Sequence, residues 1–382
     1  MIWFSWKRTA LVFVAGGLVV AGATAAYQTA CADDAAATEP APRPALQVLS
    51  ASERALDAKK VALGKMLFFD GRLSGDATLS CATCHQPEKA WTDGQAFSRG
   101  YPGSLYFRNT PTLWNVAAAK YVFRDGRLPA ADLATVVRDH ISEAHFMQAD
   151  GRLVIERLRQ VPQYEASFQE AFGGEPTYGR ILSAVAEFMR SLRSPTSPLD
   201  KYLAGEGTLS EEALAGLEIF RGKGRCIECH YGERLTDDGF HNLGLPPNPA
   251  LVSAPQRHIT LRRFFRTLGV SDYRQLKRDI GRYAITKQAA DNSRFLTPSL
   301  REVSRTAPYM HDGSLATLAD VVSFYNDGGG SAEDKDPRLQ PLQLSPAEQA
   351  SLVQFLQTLS GPLKVIEPPS LPKYELRKLG AN

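Results

Sequence analysis

Apolar residues recur at helical spacing in the stretches RLVIERLRQV (152–161) and ILSAVAEFMRSL (181–192), a pattern that predicts amphipathic helices whose apolar stripes are core. Proline and glycine are frequent between such stretches, so long ordered loops are expected to fill the remainder of a mainly α fold. The chain opens on a different pattern. Lys7 and Arg8 precede an unbroken apolar run from Ala10 to Ala26, with Ala23-Thr24-Ala25 as a small-residue cleavage site. Residues 1–26 therefore read as an export signal, or as an uncleaved membrane anchor, since the run approaches the length of a bilayer span. Residues 27–49 are rich in alanine and proline and read as a disordered tether, with Cys31 a stray thiol within it; folded structure is expected to begin near Ser50.

The pattern also repeats. LGKMLFF (63–69) is echoed by AGLEIF (215–220), TPTLWNV from Thr110 by TPSLREV from Thr297, and LATVVRDH (133–140) by LADVVSFY (318–325). Asp125-Gly126 and Asp312-Gly313 follow their prolines at the same offset. An internal duplication follows, giving two helical domains, residues 50–205 and 206–382, with the boundary near Gly205 after SPTSPLDKYL. A length of 382 residues suits two domains, and a formal charge of +3, evenly spread, gives no reason to expect nucleic acid as a partner.

The repeat carries chemistry. CATCH (81–85) and CIECH (226–230) each place two cysteines one helical turn apart with a histidine adjacent. Such a motif suits a c-type haem: Cys81 and Cys84, or Cys226 and Cys229, form thioethers with the vinyl groups, and His85 or His230 becomes an axial iron ligand. A four-cysteine zinc site or two small disulfides would use the same cysteines, although neither requires a histidine after each pair. Export agrees with the haem reading, because c-type haems are normally attached outside the bacterial cytoplasm.

With these motifs, and with LFFDGRLSGDATLSCATCH, RNTPTL, DIGRY, TPSL and APYMHDGSLATL, the sequence from about Leu63 to about Leu359 resembles the bacterial di-haem cytochrome c peroxidases and their MauG-type relatives. The resemblance implies two cytochrome c-like haem domains: an N-terminal haem that meets hydrogen peroxide and a C-terminal haem that stores electrons. It also implies a calcium ion between them, bound by the Asn109 side chain and the Thr306 and Pro308 carbonyls, oxygen donors that suit a hard cation. Tyr325 stands where ordinary members carry a methionine ligand to the C-terminal iron, as in the MauG type, and Met310 is the competing ligand.

Three positions depart from the family. Arg124 replaces the tryptophan expected between the haems, so any relay must use the haem edges, Trp91, Trp114 or a tyrosine; Tyr101 replaces the lid histidine; and Phe146 replaces an acid-base glutamate. The repeat places His140 opposite Tyr325, on the open face of the N-terminal haem. His140 is therefore the expected acid-base group for peroxide, with Glu143 and His145 as second choices. The expected function is a periplasmic peroxidase that reduces hydrogen peroxide with electrons from a small cytochrome c or copper protein. A MauG-type enzyme acting on a protein substrate and a di-haem electron carrier are the alternatives. His241, His258 and His311 receive no chemistry.

Overall fold

The computed structural model describes residues 44–50, 54–101 and 104–373, and its regular structure is predominantly helical. In chain order the α-helices are α1 (Ala58–Phe69), α2 (Cys81–Cys84), α3 (Leu133–Ser142), α4 (Gly151–Arg159), α5 (Pro162–Phe172), α6 (Tyr178–Arg190), α7 (Pro198–Leu203), α8 (Glu211–Arg221), α9 (Ala250–Ser253), α10 (Pro255–Thr267), α11 (Tyr283–Thr286), α12 (Leu318–Asn326) and α13 (Pro346–Gln357). Two short antiparallel ribbons, β1 (Tyr121–Val122) with β2 (Leu128–Pro129) and β3 (Phe240–His241) with β4 (Phe295–Leu296), pin the loops between them.

Both apolar stretches singled out in the sequence are helical, as α4 and α6. Helix α1 starts at Asp57, whose carboxylate accepts from the Lys59 and Lys60 N–H groups, and it packs on α6. Helix α8 packs on α13. In each pair a glycine sets the approach. A Cβ added at Gly64 would lie 1.9 Å from the Ala184 carbonyl oxygen, and one at Gly216 would lie 2.0 Å from that of Ser351. Only a residue without a side chain lets these helix surfaces come so close.

One apolar core holds Leu67, Phe68, Trp91, Val185 and Phe188, and a second holds Leu217, Phe220, Val322, Leu352 and Phe355. A third joins Phe97, Tyr106 and Phe107 to Leu261, Phe264 and Phe265 of α10. Arg108 ties the same regions together, 2.6 Å from Asp125 and 2.5 Å from Asp279, all three buried.

Several boundaries differ from those expected. Ordered structure begins by Pro44 rather than near Ser50: Leu46 is buried in the second core, Gly232 N–H donates to the Ala45 carbonyl at 2.7 Å, and Arg301 donates to the Gln47 carbonyl at 2.9 Å. Helix α7, expected in the first half, gives Leu199 to the second core and Asp200 to an ion pair with Arg301 at 2.6 Å. At the other end, Ile366 packs on the first core. Each end of the described chain thus crosses to the opposite core, a long-range arrangement that composition does not encode. The export signal or anchor, the tether through residue 43 and Cys31 lie outside the described residues. Among those described, no helix is long and apolar enough to cross a membrane.

Candidate haem and peroxide site

One cavity of about 500 Å³ is lined by both CxxCH motifs. The first sits on α2, which starts at a capping box between Ser80 and Thr83; the second forms a 3₁₀ turn (Cys226–Glu228) instead of the expected α-helical one. The two histidines are anchored alike. His85 Nδ1 bonds the Trp91 carbonyl at 2.9 Å, and His230 Nδ1 bonds the Leu235 carbonyl at 2.9 Å. Trp91 and Leu235 both have left-handed backbones, with φ of 64° and 55°. An Nδ1–H donated to a carbonyl leaves Nε2 with its lone pair free, and burial lowers the pKa of both rings, keeping them neutral.

The sulfur atoms do not assemble into one four-cysteine cluster. All four motif cysteines are free thiols, and burial pushes Cys81, Cys84 and Cys226 up to about 12 and Cys229 to about 11. Among the described residues the four sulfurs do not converge; only Cys229 approaches other candidate ligands, Asp237 and His241, within 4.8 Å. Paired neutral thiols, a neutral imidazole lone pair and an apolar wall at each motif fit a c-type haem.

His140 lies on α3 across the cavity from His85, with ring centroids 6.4 Å apart. Its Nδ1 bonds the Val136 carbonyl at 2.8 Å, and its ring stacks on Phe146 (4.4 Å) and Phe123 (5.3 Å). Burial in this aromatic sandwich pushes its pKa down to about 4. His145 also lines the cavity, stacked on Tyr106 at 5.2 Å, and its Nε2 is 2.8 Å from Glu143 Oε2. Glu143 is not in the cavity wall; the His145 imidazole holds its carboxyl below the usual range despite partial burial. Tyr101, at the expected lid position, is held by its N–H to the Phe146 carbonyl and packs beside Gly75, away from the cavity lining.

Tyr325 on α12 and Met310 both line the cavity. The Tyr325 phenol is enclosed, and burial followed by the Cys226 and Cys229 thiols raises its pKa far above the ordinary value. A ferric iron at that oxygen would lower the pKa again by stabilising the phenolate.

The expected calcium position does not fit a divalent cation. Asn109 Oδ1 already accepts from Arg124 Nη2 at 3.2 Å, while Asn109 Nδ2 donates to the Gln95 carbonyl at 2.7 Å. Thr306 and Pro308 line the cavity, but a guanidinium stands on the side-chain oxygen meant to complete the set. The sequence showed Arg124 as a lost tryptophan. It did not show where the guanidinium points.

The histidines without assigned chemistry separate. His258 Nε2 bonds the Leu276 carbonyl at 2.8 Å, a packing role, whereas His311 lines the cavity with its ring stacked on Phe295 at 3.7 Å. His241 also lines the cavity, between Asp237 and Asp336, each 2.8 Å away, with Arg338 beside it. Asp237 follows the second CxxCH motif in the repeated turn, but Asp336 and Arg338 come from a distant loop that no local spacing connects to it.

A family model described as di-haem cytochrome c peroxidase matches residues 58–208. Cytochrome-c peroxidase IdrP2 of Denitromonas iodatirespirans is 47% identical over 331 residues, covering 86% of this chain and 89% of the relative. The chain belongs to the di-haem cytochrome c peroxidase family. Methylamine utilization protein MauG of Methylorubrum extorquens is 34% identical over 375 residues, 94% of this chain and 98% of that one. A solved MauG-like protein associated with microbial copper homeostasis superposes with a TM-score of 0.69 at 28% identity, covering 84% and 94% of the two chains. Membership in this di-haem family makes the chain an oxidoreductase of two haems, and the two anchored histidines lie on one cavity.

Proposed function

We propose that this chain is a periplasmic, exported peroxidase that reduces hydrogen peroxide to water. In this reading, Cys81 and Cys84 with His85, and Cys226 and Cys229 with His230, hold two covalent haems in domains related by duplication, and Tyr325 is the second ligand on the C-terminal side. A small cytochrome c or copper protein delivers electrons there. A haem on His85 supplies the redox chemistry of peroxide cleavage. His140 Nε2, neutral and aimed by its Nδ1 bond, takes the proton from the inner peroxide oxygen and returns it to the outer one, which leaves as water. The Phe123 and Phe146 rings hold the imidazole in place, and His145 with Glu143 lies behind it. The observation that carries this reading is a neutral His140, clamped by Phe123 and Phe146, lining the same cavity as His85; peroxide reaches the iron only where the imidazole stands farther back than the 6.4 Å now between the ring centroids. Peroxide-dependent oxidation of a reduced small cytochrome, at a rate that falls about a hundredfold in His140→Ala, would support it; an unchanged rate would remove His140 from the mechanism.

The same distance favours a second reading. Two metal–imidazole bonds of about 2 Å and two ring half-widths span about 6 Å between centroids, close to the 6.4 Å observed. His140 would then ligate iron, and the chain would carry electrons without turning over peroxide. The ferric optical and EPR spectra decide: one high-spin haem supports the peroxidase, and two low-spin haems support the carrier.

A further inference from the structure

Arg108, Arg124 and Asp279 line the cavity that both CxxCH motifs share, and Arg127 and Asp125 join them through ion pairs. Arg108 pairs with Asp279 and Asp125, and Arg127 pairs with Asp125 at 3.3 Å, so this quartet is neutral. Arg124 is left over. Among the described residues it forms no ion pair; its Nη2 donates to Asn109 Oδ1, and its buried Nε has no partner. A guanidinium keeps its charge at neutral pH even where it is buried. The backbone fixes the residue in place: the Arg124 carbonyl accepts from Leu296 N–H at 2.8 Å, joining the loop between β1 and β2 to β4. Asn109 is fixed as well, with its N–H on the His311 carbonyl at 2.8 Å.

We propose that the Arg124 guanidinium is a built-in cation of the haem cavity, standing on the Asn109 oxygen in place of calcium, so that this protein holds its two haems without a divalent ion. Calcium affinity depends on six to eight oxygen donors and on their negative charge. Here the side-chain oxygen is occupied, the remaining expected donors are neutral carbonyls, and Asp125 and Asp279 are committed to Arg108. A fixed monovalent charge also repels a divalent ion beside it. The Arg124 Nε–H, buried without a protein partner, suits an anion, and a haem carries carboxylates that would supply one. A covalently built cation cannot be lost to chelators or competed by magnesium.

The inference needs the two haems and does not need the peroxidase reading, because haem count and calcium count are separate measurements. Purified holoprotein is treated with EGTA, dialysed into calcium-free buffer and analysed for metal, with optical and EPR spectra before and after calcium is added back. The expected result is fewer than about 0.1 calcium per chain and spectra unchanged throughout. Arg124→Gln, which frees the Asn109 oxygen, should take up about one calcium and lower at least one haem midpoint potential until the ion is supplied. Arg124→Lys, which keeps the charge, should stay calcium-free. Wild-type protein that retains about one calcium, or whose spectra shift with EGTA, overturns the proposal; so does an Arg124→Gln protein with both haems and no gain in calcium. The wild-type measurement decides even where a variant fails to fold.

Discussion

The two CxxCH regions share a frame and differ on the face opposite their histidines. In both, a lead helix crosses a partner at a glycine, Gly64 on Ala184 and Gly216 on Ser351, and a left-handed residue turns its carbonyl onto the histidine Nδ1. Across the cavity, the matched helices α3 and α12 present His140 and Tyr325. The frame fixes a neutral imidazole lone pair, the requirement of a histidine-ligated haem. The opposite residue decides what else can reach that position: an imidazole held neutral to about pH 4 by burial, or a phenol that burial keeps protonated until a cation meets it. Similar local frames thus face two side chains of different chemistry, His140 and Tyr325.

The largest expected effect tests whether the halves are independent cofactor sites. Replacing Cys81 and Cys84 by alanine should remove one haem and leave the other, and replacing Cys226 and Cys229 should do the converse. Intact mass after mild denaturation counts them, and loss of both haems from either variant would show that the sites are not separable. Next come the crossing glycines. Gly64→Val and Gly216→Val should each destabilise the fold by about 3 kcal/mol, because the added side chain meets backbone that cannot yield. Urea melts of the two variants that differ widely would break the structural match between the helix pairs.

Much of this comparison was legible in the sequence because it rests on local pattern. Cys-x-x-Cys-His spacing, the paired TP motifs and the helical periods of α4 and α6 need only neighbours along the chain. What was not legible depends on distant partners. The crossing of Leu46 onto the second core, the place of α7 beside Arg301, the third core around α10 and the Asp237–His241–Asp336 network all join residues far apart in sequence. Arg124 is the sharpest case. Its identity was visible as a departure, whereas its bond to Asn109, the very side chain expected to bind calcium, is a fact of three dimensions.

His140→Ala then sharpens the functional contrast between the halves. If His140 moves peroxide's proton, the variant should lose about a hundredfold in peroxide cleavage, roughly 2.7 kcal/mol, with its resting spectrum almost intact. If it ligates iron, the same change should convert a low-spin haem to high-spin and raise peroxide reactivity. Stopped-flow mixing with peroxide, followed beside EPR, separates the two because they have opposite signs.

The smallest expected changes lie on the C-terminal side. Tyr325→Phe removes the only atom by which that residue could bind metal while preserving the ring that fills the wall of the cavity. Its effect should be spectroscopic rather than structural: an altered spin state and a raised midpoint potential at the C-terminal haem, since an anionic phenolate stabilises ferric iron. The N-terminal haem should be unmoved. Met310→Leu is the matched control, a volume-conserving exchange worth under about 1.5 kcal/mol of stability, at a residue that also lines the cavity and has a left-handed backbone with φ of 74°. Because leucine keeps the bulk and loses the sulfur, unchanged spectra in Met310→Leu together with a shift in Tyr325→Phe assign the iron to the phenol. The reverse pattern gives it to the thioether and makes the C-terminal site an ordinary methionine-ligated electron-transfer haem, in which the two halves would differ less than their opposite faces suggest.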